Sequence, residues 1–182
     1  GMTNTHFANP HGLKMQGQDH HSTARDMATL AQAAYQNPLL MEIMGTASYT
    51  VESTELNPNV KTSQTITNGN YLIGVPENEE LRVKYAPYLY DPATGMKTGL
   101  LQNVDGNSNY GCLVASASKD GINLIATIFA DTSDYGDKRV AMDRWDATIA
   151  LFEYGFGRYV QVDLSQYITP VTLSEQLTDY AA

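Results

Sequence analysis

The stretch GCLVASASKDGINLIATIFAD, Gly111 to Asp131, decides the fold. Two apolar runs flank Ser118-Lys119-Asp120-Gly121, and an Asp-Gly pair between such runs is a strong signal for a tight hairpin, because both residues tolerate the positive φ that the turn demands. Strands are therefore expected near Tyr110–Ala117 and Asn123–Asp131. A third run near Gly95–Gln102 precedes them, so the three read as an antiparallel meander.

Downstream, a helix is expected from about Lys138 to Tyr154, with Ala141, Trp145, Ile149 and Phe152 on one stripe and Gly155 as its stop. RYVQVDL, from Arg158, reads as a further strand, and the remaining tail has no strong pattern. Upstream, HHSTARDMATLAQAAYQNP contains a helix capped by Ser22 or Thr23, with Thr23 and Asp26 at capping-box spacing and Met27, Leu30, Ala31 and Ala34 on one face. Pro38 suits the first turn of a second helix through Leu40, Ile43 and Met44, closed by Gly45. Short strands are expected at Ser48–Val51 and Ser63–Thr67, with turn chemistry at Asn57-Pro58 and Asn68-Gly69-Asn70. Pro76–Lys84 reads as an exposed insertion or short helix. Helices, then antiparallel strands, then a helix make an α+β chain, not an alternating βαβ one.

The sequence has 182 residues, which suits a single domain, and its 42% hydrophobic and 17% charged residues are ordinary for a soluble globular protein. A formal net charge of -9 with eleven scattered basic residues argues against a nucleic-acid partner. No apolar run approaches the roughly 18 residues of a membrane span. The single cysteine, Cys112, excludes an internal disulfide and reads as a buried thiol. The opening residues lack the basic and apolar regions of a signal peptide.

Five blocks carry a resemblance: GMTNTHFANPHGL, HHSTARDMATLA, GMKTG, GCLVASASKDGINLIATIFAD and RWDATIALFEYGF. In order and spacing they resemble the serine-type D-Ala-D-Ala carboxypeptidases, the low-molecular-mass penicillin-binding proteins of peptidase family S11. The resemblance implies a partial β-lactamase/transpeptidase-like domain over residues 1–160, an antiparallel sheet flanked by helices, with 161–182 a C-terminal strand and tail or linker. It also implies an extracytoplasmic setting in the cell envelope, peptidoglycan stem peptide as substrate, β-lactam as ligand of the complete enzyme, and no cofactor. Such enzymes remove the terminal D-alanine of pentapeptides through an acyl-serine intermediate, using SxxK, SxN and KTG boxes.

Lys97-Thr98-Gly99 matches the third box. By resemblance, the Lys97 ammonium supports proton transfer and attracts the substrate carboxylate, and the Thr98 hydroxyl binds it. Gly99 lets substrate lie close, and the Leu100 N–H forms part of an oxyanion hole. Leu100-Leu101 departs from the aromatic or His and then Thr usual at those places. Arg144 matches a family arginine that can face the substrate carboxylate, with Arg139 as the alternative.

The other two boxes precede the family block that opens this sequence, and no serine here has Asn two residues later. The chain is therefore expected to be the C-terminal part of a longer enzyme, lacking its nucleophile and inactive alone. One formal SxxK, Ser116-Ala117-Ser118-Lys119, sits where a strand runs into a turn. An odd offset on a strand points the two side chains to opposite faces, so it is rejected. His6, His11, His20 and His21 cluster beside Asp19, but their spacing fits no zinc signature and they read as structural loop residues. Asp131, Asp134 and Asp137 do not reproduce a calcium loop.

Two functions compete: a segment of a D-Ala-D-Ala carboxypeptidase, or a non-catalytic peptidoglycan- or partner-binding module derived from that fold. Apolar faces left uncovered without the nucleophile helix are expected to draw a second chain, as a homodimer or by strand exchange.

Overall fold

A computed structural model describes residues 1–10, 12, 19–54, 64–102, 109–131 and 143–166. Strands β1 (Ser48–Val51) and β2 (Gln64–Thr67) form a small antiparallel pair, and β3 (Ala93–Gln102), β4 (Asn109–Lys119) and β5 (Ile122–Asp131) form an antiparallel sheet in that order. The helices are α1 (Ala24–Tyr35), α2 (Pro38–Gly45), α3 (Glu79–Tyr85) and α4 (Asp143–Phe156), with single 3-10 turns at Ala86–Tyr88 and Leu164–Gln166.

The β4–β5 hairpin turns where the sequence places it. Asp120 and Gly121 have φ of 50° and 77°, the paired left-handed geometry that matches the twist of the flanking strands. Because β4 lies between two neighbours and is covered on both faces, its apolar run has no polar alternation. Leu113, Ala115 and Ala117 pack with Ala126, Trp145 and Phe152 on the α4 side, whereas Val114 packs with Ala31, Met27 and Ala34 of α1 on the other. The domain is thus a sheet between helices, and its two cores meet through the pleat of one strand.

Both early helices begin as their sequences indicate. Thr23 Oγ1 accepts from Asp26 N at 3.1 Å and Asn37 Oδ1 from Leu40 N at 3.2 Å, each satisfying a helix N–H that has no partner within the helix. Leu30, expected on the buried face of α1, is exposed; the face that packs runs through Met27, Ala31 and Ala34. Gly155, expected to stop the last helix, instead lies inside α4. A Cβ there would stand 2.6 Å from Leu124 Cδ1, so this glycine permits close approach of helix and sheet. Residues 158–163 form no strand, contrary to the alternation of RYVQVDL. The segment passes the β4–β5 hairpin turn, bringing Gln161 against Gly121, and pairs with no strand among the described residues. Ala141, Arg139, Asp134, Asp137, His11 and the tail beyond Gln166 lie outside the described residues.

Asp26 serves the fold twice. Its backbone starts α1, and its buried carboxylate holds the N-terminal segment, accepting from Thr5 Oγ1 at 2.7 Å and Asn4 N at 2.9 Å. The Thr5 bond leads in holding its carboxyl below the usual carboxylate range, with Asn4 and Thr23 adding to it against the opposing effect of burial. A depressed folded-state pKa contributes stability that is present above the unfolded value of about 4 and is lost as pH falls through the folded one. Urea titrations at several pH values should therefore show Asp26→Asn less stable than wild type at neutral pH, with the gap closing in strong acid. A gap that stayed constant with pH would contradict this role.

Several large apolar side chains stand exposed, among them Leu39 and Ile43 on α2 and the cross-strand pair Tyr49 and Ile66. No helix among the described residues is long and apolar enough to cross a membrane.

Candidate functional site

The Lys97-Thr98-Gly99 stretch lies in the middle of β3, the terminal strand of its sheet, so one edge of β3 carries no partner strand among the described residues. The entry into it is shaped by an irregular backbone. Gly95 has φ of 120° and Met96 of 89°, and the register with β4 shifts between Ala93 and Gly95. A methionine at positive φ is strained and persists only where its surroundings fix it. Here Met96 is buried against Val114 and α1, with Met44 of α2 packed beside it.

Two asparagines provide the rest of that fixation. Asn70 is fully buried; its Nδ2 donates to Gly95 O at 3.1 Å and its Oδ1 accepts from Leu72 N at 3.2 Å. Asn68 Nδ2 donates to Met44 O at 3.2 Å and Thr46 O at 3.0 Å, so the end of α2, the turn and the start of β3 are one hydrogen-bonded unit. Buried and half-buried amides engaged in this way are costly to disturb. Sequence reasoning saw only a turn at Asn68-Gly69-Asn70. Side-chain amides on both sides of a glycine, just upstream of the strand, were the signal available.

Lys97 is exposed, and its Nζ donates to Thr98 O at 2.5 Å. Thr98 is half-buried against the turn: a Cβ on Gly69 would lie 3.4 Å from its Oγ1, ordinary contact distance. Gly99 faces Cys112 across the β3–β4 ladder and Leu100 faces Gly111. The Leu100 side chain is 58% exposed.

Arg144 joins the group from α4. It is only 7% exposed, its guanidinium lies 4.6 Å over the Trp145 ring, and Nη1 donates to Gly99 O at 2.6 Å and Cys112 O at 3.0 Å. The structure thus brings Lys97, Thr98, Gly99, Leu100 and Arg144 together, with the guanidinium turned onto backbone carbonyls.

Ser116, of the rejected SxxK, is fully buried at 2.7 Å from Thr94 Oγ1, while Lys119 is exposed at the strand end with its ammonium 5.9 Å from the Phe156 ring centroid. No serine–lysine pair forms there. Three of the histidines tie loops together: His20 Nδ1 accepts from Ala8 N at 3.3 Å, His6 and His21 form a β-bridge, and His21 Nδ1 lies 2.8 Å from Asp19. Two open concavities, of about 400 Å³ beside Lys119 and Glu153 and about 420 Å³ between Tyr35 and Ile125, lie away from Lys97. Among the described residues, the candidate site is a strand edge.

Residues 1–133 match the family model for D-alanyl-D-alanine carboxypeptidases, Peptidase_S11. The chain is 28% identical over 156 residues to a D-alanyl-D-alanine carboxypeptidase of Streptomyces sp. (strain K15), covering 86% of this chain and 44% of that protein. It is 31% identical over 129 residues to the D-alanyl-D-alanine carboxypeptidase DacF of Bacillus subtilis (strain 168), covering 71% of this chain and 26% of that one. Among solved structures, a D-alanyl-D-alanine carboxypeptidase from Mycobacterium tuberculosis H37Rv superposes with a TM-score of 0.60 at 25% identity, over 88% of this chain and 50% of that one. A point mutant of Streptomyces K15 DD-transpeptidase gives 0.61 at 26% identity, over 85% and 48%. The chain spans half or less of the length of these relatives.

Proposed function

The chain belongs to the D-alanyl-D-alanine carboxypeptidase family S11, and on that footing we propose that it forms the KTG side of a serine acyl-transfer cleft that acts on peptidoglycan pentapeptide in the cell envelope. The observation that carries this reading is the edge of β3 that has no partner strand among the described residues, with Lys97 exposed on it, Thr98 half-buried beside the Asn68–Asn70 turn and Arg144 bonded to the Gly99 carbonyl. An extended peptide can lie along such an edge using main-chain hydrogen bonds. Lys97 would draw the terminal carboxylate of D-Ala-D-Ala toward it, and Thr98 Oγ1 would donate to that carboxylate.

In the acyl transfer itself, the scissile carbonyl oxygen becomes an oxyanion when the serine adds. The Leu100 N–H would supply one donor to it, a contact of a kind that contributes about 3–4 kcal/mol in the transition state. The nucleophilic serine and its lysine belong to an SxxK helix, whereas the one SxxK of this sequence, Ser116 to Lys119, lies at the end of β4. The 182 residues alone are therefore expected to bind substrate without turning it over.

A labelled penicillin tests the assignment of the nucleophile. Incubated with the purified chain and run under denaturing conditions, it should leave no label on the protein. A stoichiometric covalent adduct would mean that a serine within these residues is the nucleophile.

A further inference from the structure

We propose that Arg144 is a positioning residue that fixes the direction of the Leu100 N–H and raises its polarity through the shared peptide group. The inference rests on the reading of β3 as a cleft wall, although its first test does not. Gly99 C=O and Leu100 N–H belong to one trans peptide and point to opposite sides of the strand. Gly99 and Cys112 are directly paired, and Nη1 of Arg144 lies 2.6 Å from one carbonyl oxygen and 3.0 Å from the other. One nitrogen reaches both only where both oxygens lie in the space between β3 and β4. The Gly99 carbonyl therefore points toward β4, and the Leu100 N–H points off the free edge of β3.

A guanidinium donating to a carbonyl makes a charge-assisted bond, roughly twice as strong as a neutral one. It pulls electron density toward the oxygen and leaves the N–H of the same peptide more positive, the cooperative polarisation seen in hydrogen-bonded chains. The near-complete burial of Arg144 keeps water from screening this effect. Arg144 is also the second residue of α4, in a first turn where the helix dipole favours acids and disfavours cations. A cation placed against the dipole, buried, and bonded to two backbone carbonyls is a local conflict of the kind expected where function outweighs stability.

The test compares the isotopically labelled wild-type chain, Arg144→Met and Arg144→Lys by NMR. In Arg144→Met, the Gly99 carbonyl carbon and the Leu100 amide proton should both move upfield. The second peptide bonded by Arg144, read at the Cys112 carbonyl carbon and the Leu113 amide proton, should move with them. Arg144→Lys should recover part of both shifts, and it supplies the comparison if the methionine variant loses its dispersed spectrum. A merely structural role would scatter changes through the core without this paired sense.

Binding gives the second readout, with an acyl-D-Ala-D-Ala peptide and its tetrahedral phosphonate analogue as probes. Arg144→Met should weaken the anionic phosphonate about tenfold and the peptide much less, because only the phosphonate places negative charge at the Leu100 N–H. Unchanged shifts at Gly99 and Leu100 in a folded variant would overturn the inference. So would an equal loss for both ligands, since that pattern belongs to direct contact with their common carboxylate. If wild type binds neither ligand, the cleft reading fails, and the shifts still decide whether Arg144 polarises the peptide.

Discussion

Trp145→Ala is expected to lower the free energy of unfolding by about 3–5 kcal/mol, the range for truncating a buried aromatic in a core that cannot collapse around the loss. Domains of this kind have only about 5–15 kcal/mol in total. Trp145 is fully buried, packs in the core built on Leu113, Ala115 and Phe152, lies 5.5 Å from the Tyr71 ring and carries the Arg144 guanidinium on its face. Its removal therefore unseats the side chain that bonds Gly99 O as well as opening a cavity. Urea denaturation followed by circular dichroism measures the effect. A midpoint within experimental error of wild type would show that α4 does not anchor the sheet.

Gly95→Ala is the second severe change, for a different reason. Its φ of 120° is a conformation that residues with a side chain rarely adopt, and an added Cβ would stand 2.5 Å from Met44 O and 2.8 Å from Gly45 Cα. Backbone strain of about 1–3 kcal/mol adds to an overlap that costs a similar amount. Relief requires the end of α2 and the start of β3 to separate, which breaks the Asn70 bond to Gly95 O and shifts Lys97. The expected result is a lower urea midpoint together with weakened binding at the strand edge. Leu39→Ala, at an exposed position on α2, should leave both near wild type.

Much of this architecture was legible in the sequence because it rests on local chemistry. The Asp120-Gly121 turn, the caps at Thr23 and Asn37, and the apolar stripe through Trp145, Ile149 and Phe152 each depend on residues within a turn or two of one another. The failures are those of non-local physics. Gly155 looked like a helix stop because a glycine's two uses, ending a helix and admitting a neighbour, look alike in a string; only Leu124 of β5 distinguishes them. RYVQVDL has strand alternation, but alternation alone does not supply the partner strand that a ladder needs. For the site, the KTG triplet and Arg144 were visible by family resemblance. The Asn68 and Asn70 bonds that set the start of β3 were not, since they join residues about 25 apart to backbone atoms that carry no sequence signature.

The edge of β3 without a partner strand among the described residues, around Lys97-Thr98-Gly99-Leu100, is expected to receive a peptide ending in D-Ala-D-Ala. Amide chemical-shift mapping during titration of the full chain with such a peptide tests it most directly. Saturable changes should concentrate at Lys97, Thr98, Gly99 and Leu100 and extend to Gly69, and they should diminish in Lys97→Ala. No saturable change, or changes confined to the groove beside Lys119 and Glu153, would contradict the account.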